Sequence, residues 1–232
     1  MKGRLLAAGA IAAWCAPAAA PVVPFLAAPF GIRLRLPSGR GIALTFDDGP
    51  HPQGTPAVLE ILARTGARAT FFLVGEQVAR RPALAAEIAA AGHEVAIHGY
   101  RHTLLLRRTP GELADDLDRA VAVIGEATGA APTVYRPPYG VFSAAGLALA
   151  RRRDWTPFLW SKWGRDWTRR ATPEGIAALA TRDLSAGDVV LLHDADYYST
   201  EGSWTRTVGA LPAVVYAAAE LDEPFVPLSD SR

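Results

Sequence analysis

Cysteine is almost absent: Cys15 is the only one in the chain. A single thiol makes no intrachain disulfide and no cysteine-based zinc site. Any bound metal would therefore need histidine and carboxylate ligands. An excess of one charge is also lacking. The formal net charge is +1, with no acidic or basic tail, so the electrostatic footprint of a nucleic-acid binder is missing and no nucleic-acid partner is expected. No low-complexity linker and no fixed-period repeat is present, although three Thr-Pro helix starts recur at Thr55, Thr109 and Thr172. What remains is globular. Half of the 232 residues are hydrophobic and a fifth are charged, enough for one large domain or two small ones.

Charge is missing altogether from Leu5 to Phe30. Lys2 and Arg4, the apolar run from Leu5 to Trp14, and Ala18-Ala19-Ala20 open the chain like a secretory signal. Pro21 directly after that alanine run is a poor residue for cleavage there. The stretch is long enough to span a bilayer, but Pro17, Pro21, Pro24 and Pro29 would break a continuous helix. Arg33, Arg35 and Arg40 beyond its far end leave no charge asymmetry to set an orientation. The expectation is a signal-like or membrane-tethering segment over residues 1–36 and a folded domain over 37–232. Such a protein would be exported or membrane-tethered, facing the cell envelope. The alternative is a cytoplasmic protein with the apolar segment packed on its domain.

From residue 41 short apolar runs alternate with helix-like segments. Strands are expected at Gly41–Leu44, Ala69–Val74, Glu94–Ile97, Val134–Tyr135, Phe158–Trp160, Asp188–Leu192 and Phe225–Val226. Helices are expected from Thr55-Pro56 to Gly66, with Thr as cap, over Pro82–Ala91, from a capping box at Thr109–Glu112 to about Thr128, after Ser143, after Thr172, and over Val208–Glu220. This alternation argues for an α/β fold: a mainly parallel sheet with outer helices, closed as a barrel or distorted barrel.

Polar residues that stability alone does not explain follow those strands: Asp47-Asp48, His98, Arg136, Asp166 and His193. In a parallel barrel such strand ends share one face. The carboxylate pair is the sharpest case. Neighbouring strand side chains point to opposite faces, so one Asp would face the core, where an unpaired carboxylate is costly. His98-Gly99-Tyr100-Arg101-His102 spaces two imidazoles by four residues. With one carboxylate they would make the three-ligand set, with an open position, of a catalytic metal site. One Asp of the pair would then ligate and the other take a proton. His193 is a candidate acid, Arg136 a clamp for the base carboxylate, and Asp166 a partner that orients and charges His193.

The ordered set T-F-D-D-G-P, H-x3-H, R-P-P-Y-G, D-W and L-L-H-D resembles the polysaccharide deacetylases, the NodB-like carbohydrate esterases of family four. The resemblance spans roughly residues 40 to 228. It implies a distorted (β/α) barrel and makes 37–232 the catalytic domain. It also implies a divalent metal, most often Zn2+, with Co2+ or another divalent ion as alternatives, and hydrolysis of acetyl groups, mostly N-acetyl, on an acetylated carbohydrate such as chitin or peptidoglycan. A monomer is expected. By position, Asp47 resembles the catalytic base, and Asp48, His98 and His102 the metal ligands. Arg136 matches the residue that holds the base, and Tyr139 the backbone N–H at the oxyanion. Asp166 matches the partner of the acid and His193 the acid. Leu191 fits the acetyl pocket, with Trp163 and Trp167 beside it. Two positions depart from the family pattern: Gly99 stands where Ser or Thr usually braces the metal loop, and Trp163 where an Asp is common. Trp160, Trp167, Tyr197, Tyr198 and Trp204 suggest an aromatic cleft rim. His51 and His93 read as structural. Rival readings are an O-acetyl esterase, a deacylase of a small acetylated amine, and an inactive sugar-binding module.

Overall fold

The computed structural model describes residues 16–231. The basic start and the apolar run from Leu5 to Trp14 lie outside the described residues. Seven strands form one sheet: β1 (Ala43–Asp47), β2 (Thr70–Leu73), β3 (Glu94–Ile97), β4 (Val134–Tyr135), β5 (Thr156–Pro157), β6 (Lys162–Trp163) and β7 (Val189–His193). Their order is β5-β4-β3-β2-β1-β7-β6, and every pairing is parallel. The helices are α1 (Gly54–Thr65), α2 (Gly75–Arg80), α3 (Pro82–Ala90), α4 (Pro110–Thr128), α5 (Ala144–Arg152), α6 (Pro173–Ala180) and α7 (Ser203–Ala219). The result is the expected distorted (β/α) barrel, left open between its edge strands β5 and β6.

Strand alternation sorts the core into two sets. Leu44, Phe46, Phe71, Leu73, Val190 and Leu192 pack outward against the helices through Val58, Leu62 and Val214; the rings of Phe46 and Phe71 stack at 5.1 Å. Ala43, Phe72, Ala96, Val134 and Val189 pack on the other face, inside the barrel. Thr45 and Asp47 take the same parity as Ala43 and so point inward. β1, β3 and β7 therefore deliver Asp47, His98 and His193 to one end of the barrel.

Local chemistry explains the helix starts. Thr109 caps α4 in a reciprocal capping box with Glu112, and Ser143 and Thr172 cap α5 and α6. Thr55 does not cap α1. Gln53 holds that position, because the Thr55 hydroxyl is drawn to the buried carboxylate of Asp194. Helix α2 has no sequence signal: it begins at a glycine and has no side-chain cap. Helix α7 starts five residues before the expected Val208 and carries Pro212 inside it.

Two expected strands are not strands. In Phe158–Trp160 the ladder groups are spent elsewhere: Leu159 N–H donates to Arg33 O at 2.8 Å, and Leu159 O accepts from Arg136 Nη2 at 2.7 Å. Phe225 makes only an isolated bridge to Ile42, since Pro224 and Pro227 on either side lack the N–H a ladder needs.

The described part of the apolar N-terminal segment packs on the domain. It runs through three short 3-10 turns, Ala16–Ala19, Pro24–Leu26 and Ala28–Phe30. Ala20, Ala27 and Ile32 are buried in one cluster with Phe142, Trp155 and Leu159, and Arg33 bridges Phe158 beside β5, covering an open sheet edge. No helix among the described residues is long and apolar enough to cross a membrane.

Candidate active site

The adjacent carboxylates converge because the strand stops between them. Asp47 is the last residue of β1, whereas Asp48 takes a left-handed conformation with φ 79°. That turn swings its side chain back toward the barrel axis instead of the opposite face. Asp tolerates this region better than most residues, at a cost of order 1 kcal/mol. Both carboxylates are buried, at 3% and 4% exposure.

Asp48, His98 and His102 bring one ligand atom each within 4.8 Å of one another. Asp48 Oδ1 lies 3.3 Å from His98 Nε2 and 3.2 Å from His102 Nε2. Two ligands each ~2.0–2.1 Å from one ion at the tetrahedral angle stand about 3.3 Å apart, so the spacing fits a shared cation. The tautomer fits as well. His98 Nδ1 sits 2.9 Å from the carbonyl of Arg136; a carbonyl only accepts, so Nδ1 carries the proton and Nε2 offers its lone pair. Asp48 Oδ1 is buried without a hydrogen-bond partner among the described residues, an orphaned acceptor that a cation would satisfy. The donor set is two nitrogens and one oxygen, suited to a divalent ion such as zinc or cobalt.

Asp47 is turned away from this set by one oxygen and toward it by the other. Its Oδ1 accepts from Arg136 Nη1 at 2.6 Å, while Oδ2 stands 3.8 Å from His98 Nε2. Arg136 is wholly buried. Its Nη1 also donates to Thr45 Oγ1 at 3.0 Å, and its guanidinium lies 4.0 Å over the Phe72 ring. The barrel interior thus holds an ion pair that fixes the orientation of one carboxylate.

His193 ends β7 and faces Asp166, a fully buried carboxylate. Asp166 Oδ1 accepts from His193 Nδ1 at 3.0 Å, and Oδ2 accepts from His193 N at 2.6 Å and Thr207 Oγ1 at 2.8 Å. Burial alone would lower the imidazole. The Asp166 charge and hydrogen bond, with Asp48 and Asp47 behind them, overcome it and push His193 up to about 10. The cationic form therefore persists well above its ordinary range, with Nε2–H free to donate. Replacing Asp166 by Asn removes the largest favourable charge. The imidazole should then titrate lower, and the alkaline limb of the kcat–pH profile should move about one to three pH units toward acid. An unmoved limb would show that Asp166 does not set the charge of His193.

Tyr139 is the second residue in left-handed backbone here, with φ 61° and ψ 4°. Such conformations at non-glycine positions cluster where function needs them. Its ring edge meets His102 at 4.4 Å. A cavity of about 320 Å3 joins Asp47, Asp48, His98, His102, Tyr139 and His193 with Leu191, Trp160, Trp163 and Trp167. Every site residue expected from the sequence is thus either on this cavity or, for Arg136 and Asp166, directly behind it. The tryptophans form a ladder, Trp160–Trp163 at 5.7 Å and Trp163–Trp167 at 5.5 Å, that ends edge-on against His193 at 5.3 Å. Tyr197 and Trp204 are not part of this rim; their rings pack on His51 instead. His51 accepts from Gly54 N at 2.9 Å and His93 from Ala69 N at 3.3 Å, both structural roles as expected.

Tyr198 lines the cavity, as expected of the aromatic rim, but three supporting roles escape sequence reasoning. Tyr198 stacks face to face on His102 at 4.1 Å, held by a bond from its hydroxyl to Glu76 at 2.8 Å. Asp194 braces the Asp48-Gly49 turn. Its carboxylate fills the space where a Gly49 Cβ would stand, only 2.6 Å away, and burial pushes its carboxyl up to about 7 despite the bond from Thr55. Its place in L-L-H-D was the only hint. The third answers the Gly99 departure. Gly99 has φ 86°, a poor conformation for Ser or Thr, and the loop is braced instead by Asp116 of α4, which accepts from Tyr100 N at 2.9 Å and Arg101 N at 3.3 Å.

With this geometry in place, comparison with known proteins identifies the class. The sequence pattern of the polysaccharide deacetylases matches residues 36–157. A chitooligosaccharide deacetylase of Bradyrhizobium sp. (strain ANU 289) is 36% identical over 185 residues, covering 77% of this chain and 84% of the relative. The crystal structure of the Bc1960 peptidoglycan N-acetylglucosamine deacetylase superposes with a TM-score of 0.81 at 27% identity, over 88% of this chain and 94% of that one. A family 4 acetyl xylan esterase from Clostridium thermocellum, solved with a cobalt ion, superposes with a TM-score of 0.73 at 27% identity, over 82% and 89%. The chain belongs to the polysaccharide deacetylase family.

Proposed function

We propose that this protein is a metal-dependent hydrolase that removes N-acetyl groups from an acetylated glycan of the peptidoglycan or chitin type, with zinc as its metal. The observation that carries the reading is the junction of two devices in one cavity. A His-His-Asp ligand set stands beside a clamped carboxylate, opposite a histidine held cationic by Asp166. Relatives named as deacetylases of chitooligosaccharide and of peptidoglycan support the substrate class. An envelope location is part of the proposal, supported by the signal-like start.

Asp48, His98 and His102 would hold the ion, which when bound polarises the acyl carbonyl and makes water a better nucleophile. Asp47 Oδ2 takes the proton from the attacking water, while Arg136 keeps Oδ1 engaged so that one oxygen faces the reaction. The Tyr139 N–H donates to the developing oxyanion. His193 Nε2 gives its proton to the departing amine nitrogen, and Asp166 retains the Nδ1 proton throughout. Leu191 and Trp167 enclose the acetyl methyl and exclude water from it.

The acetyl xylan esterase likeness favours a second reading, O-acetyl hydrolysis with the same residues. Acetate release from acetylated chito-oligosaccharides, N-acetylglucosamine and acetylated xylan, assayed side by side, separates the two. Chito-oligosaccharides are expected to turn over fastest. Faster turnover of acetylated xylan would select the esterase, and turnover of the single sugar alone would select a small-amine deacylase.

A further inference from the structure

The same cavity has a wall that the proposed reaction does not use. Ala18, Pro21 and Val22 of the N-terminal segment line it together with Asp48, His102 and His193. The segment is built into the fold. Ala20 and Ala27 are 0% and 2% exposed, Arg151 Nη2 donates to Phe30 O at 3.0 Å, and Arg33 N donates to Pro157 O at 2.9 Å.

The chemistry of this wall is one-sided. Among the described residues, the polar groups on the cavity are the proposed metal and proton-transfer side chains, Tyr139, Tyr198, Ser199 and the indole N–H groups of Trp160, Trp163 and Trp167. The Tyr198 hydroxyl is already committed to Glu76 and Gln77. No Asn, Gln, Glu, Lys or Arg side chain of the described residues lines the cavity. Sugar hydroxyls pressed against Ala18, Pro21 and Val22 would lose water and gain no partner, which costs free energy for each one. An alkyl or aryl group placed there would be stabilised. Val22 and, on the same segment, Phe25 are large apolar side chains left 76% and 77% exposed.

We propose that residues 16–31 and Trp160 form an apolar subsite next to the catalytic residues, and that it binds an alkyl or aryl aglycone carried by the acetylated saccharide, the chemistry of a lipid-linked or aryl glycoside. The inference rests on the deacetylase reading above and names the kind of substrate that site takes. It assigns the segment to substrate selection rather than only to anchoring.

The test uses the full-length, zinc-loaded protein and measures acetate release from N-acetylated chitobiose as the free sugar and as its octyl glycoside, below the micelle concentration. The octyl glycoside is expected to show a KM about fivefold lower or better, equivalent to roughly 1 kcal/mol, with kcat within about twofold. Val22→Ser and Val22→Asn, both neutral, should each remove that advantage and leave turnover of the free sugar unchanged. Val22 is exposed, so its variants keep the core intact. Equal KM for the two substrates in the unaltered protein, or an advantage that survives both substitutions, would overturn the subsite. Acetate from neither substrate would overturn the deacetylase reading itself, and the subsite with it.

Discussion

Asp47→Asn is expected to lower kcat by about two to four orders of magnitude while leaving the bound metal in place. The side chain keeps its shape and still presents an oxygen to Arg136, but the amide cannot take a proton. The ligand atoms of Asp48, His98 and His102 are untouched. His98→Ala should give the opposite signature, loss of metal and of turnover together. Metal content and acetate release measured on the same preparations separate the two roles. Near-normal turnover in Asp47→Asn would remove Asp47 as the base. Loss of metal in that variant would make it a ligand instead.

Arg136→Met is expected to destabilise the fold by about 3–5 kcal/mol, because it leaves the Asp47 carboxylate buried without its cation. The pair is wholly inside the barrel, Arg136 at 0% and Asp47 at 3% exposure. The loss should be recovered in part when Asp47→Asn is added, since the orphaned charge is then gone. Urea unfolding of the two single variants and the double variant measures this coupling. Strictly additive losses, or a loss under about 1 kcal/mol for Arg136→Met, would show that the ion pair is not what holds the barrel interior together.

How much of this was legible follows from what kind of signal each residue leaves. Strand ends carrying Asp47, His98 and His193 could be read because short continuous apolar runs stop abruptly at polar residues, and a parallel barrel then forces those ends together. The Arg136–Asp47 contact joins residues 89 apart, so only the place of Arg136 after a strand and the order of the motifs pointed to the clamp. The convergence of Asp47 and Asp48 was hidden in a backbone angle, the left-handed φ of Asp48, which no alternation rule predicts. Tyr198 behind His102, and Asp194 against Gly49, are packing relations between distant loops. Their sequence trace was no more than a pair of tyrosines and a motif residue without an assigned task. Thr55 shows the converse: its Thr-Pro pattern is a good cap signal, overridden by a buried carboxylate that needs a donor. The wall built by Ala18, Pro21 and Val22 was unreadable because an uncharged, proline-broken segment looks the same whether it leads a domain or lines its cleft.

The central claim is that Asp48, His98 and His102 hold a divalent ion on which acetyl release depends. Its most direct test is acetate release from acetylated chito-oligosaccharide by protein stripped with a chelator and then titrated with zinc, with metal content followed in parallel. Activity should fall to background in the stripped protein and return in proportion to one zinc ion per chain. Full activity in the metal-free preparation would contradict it.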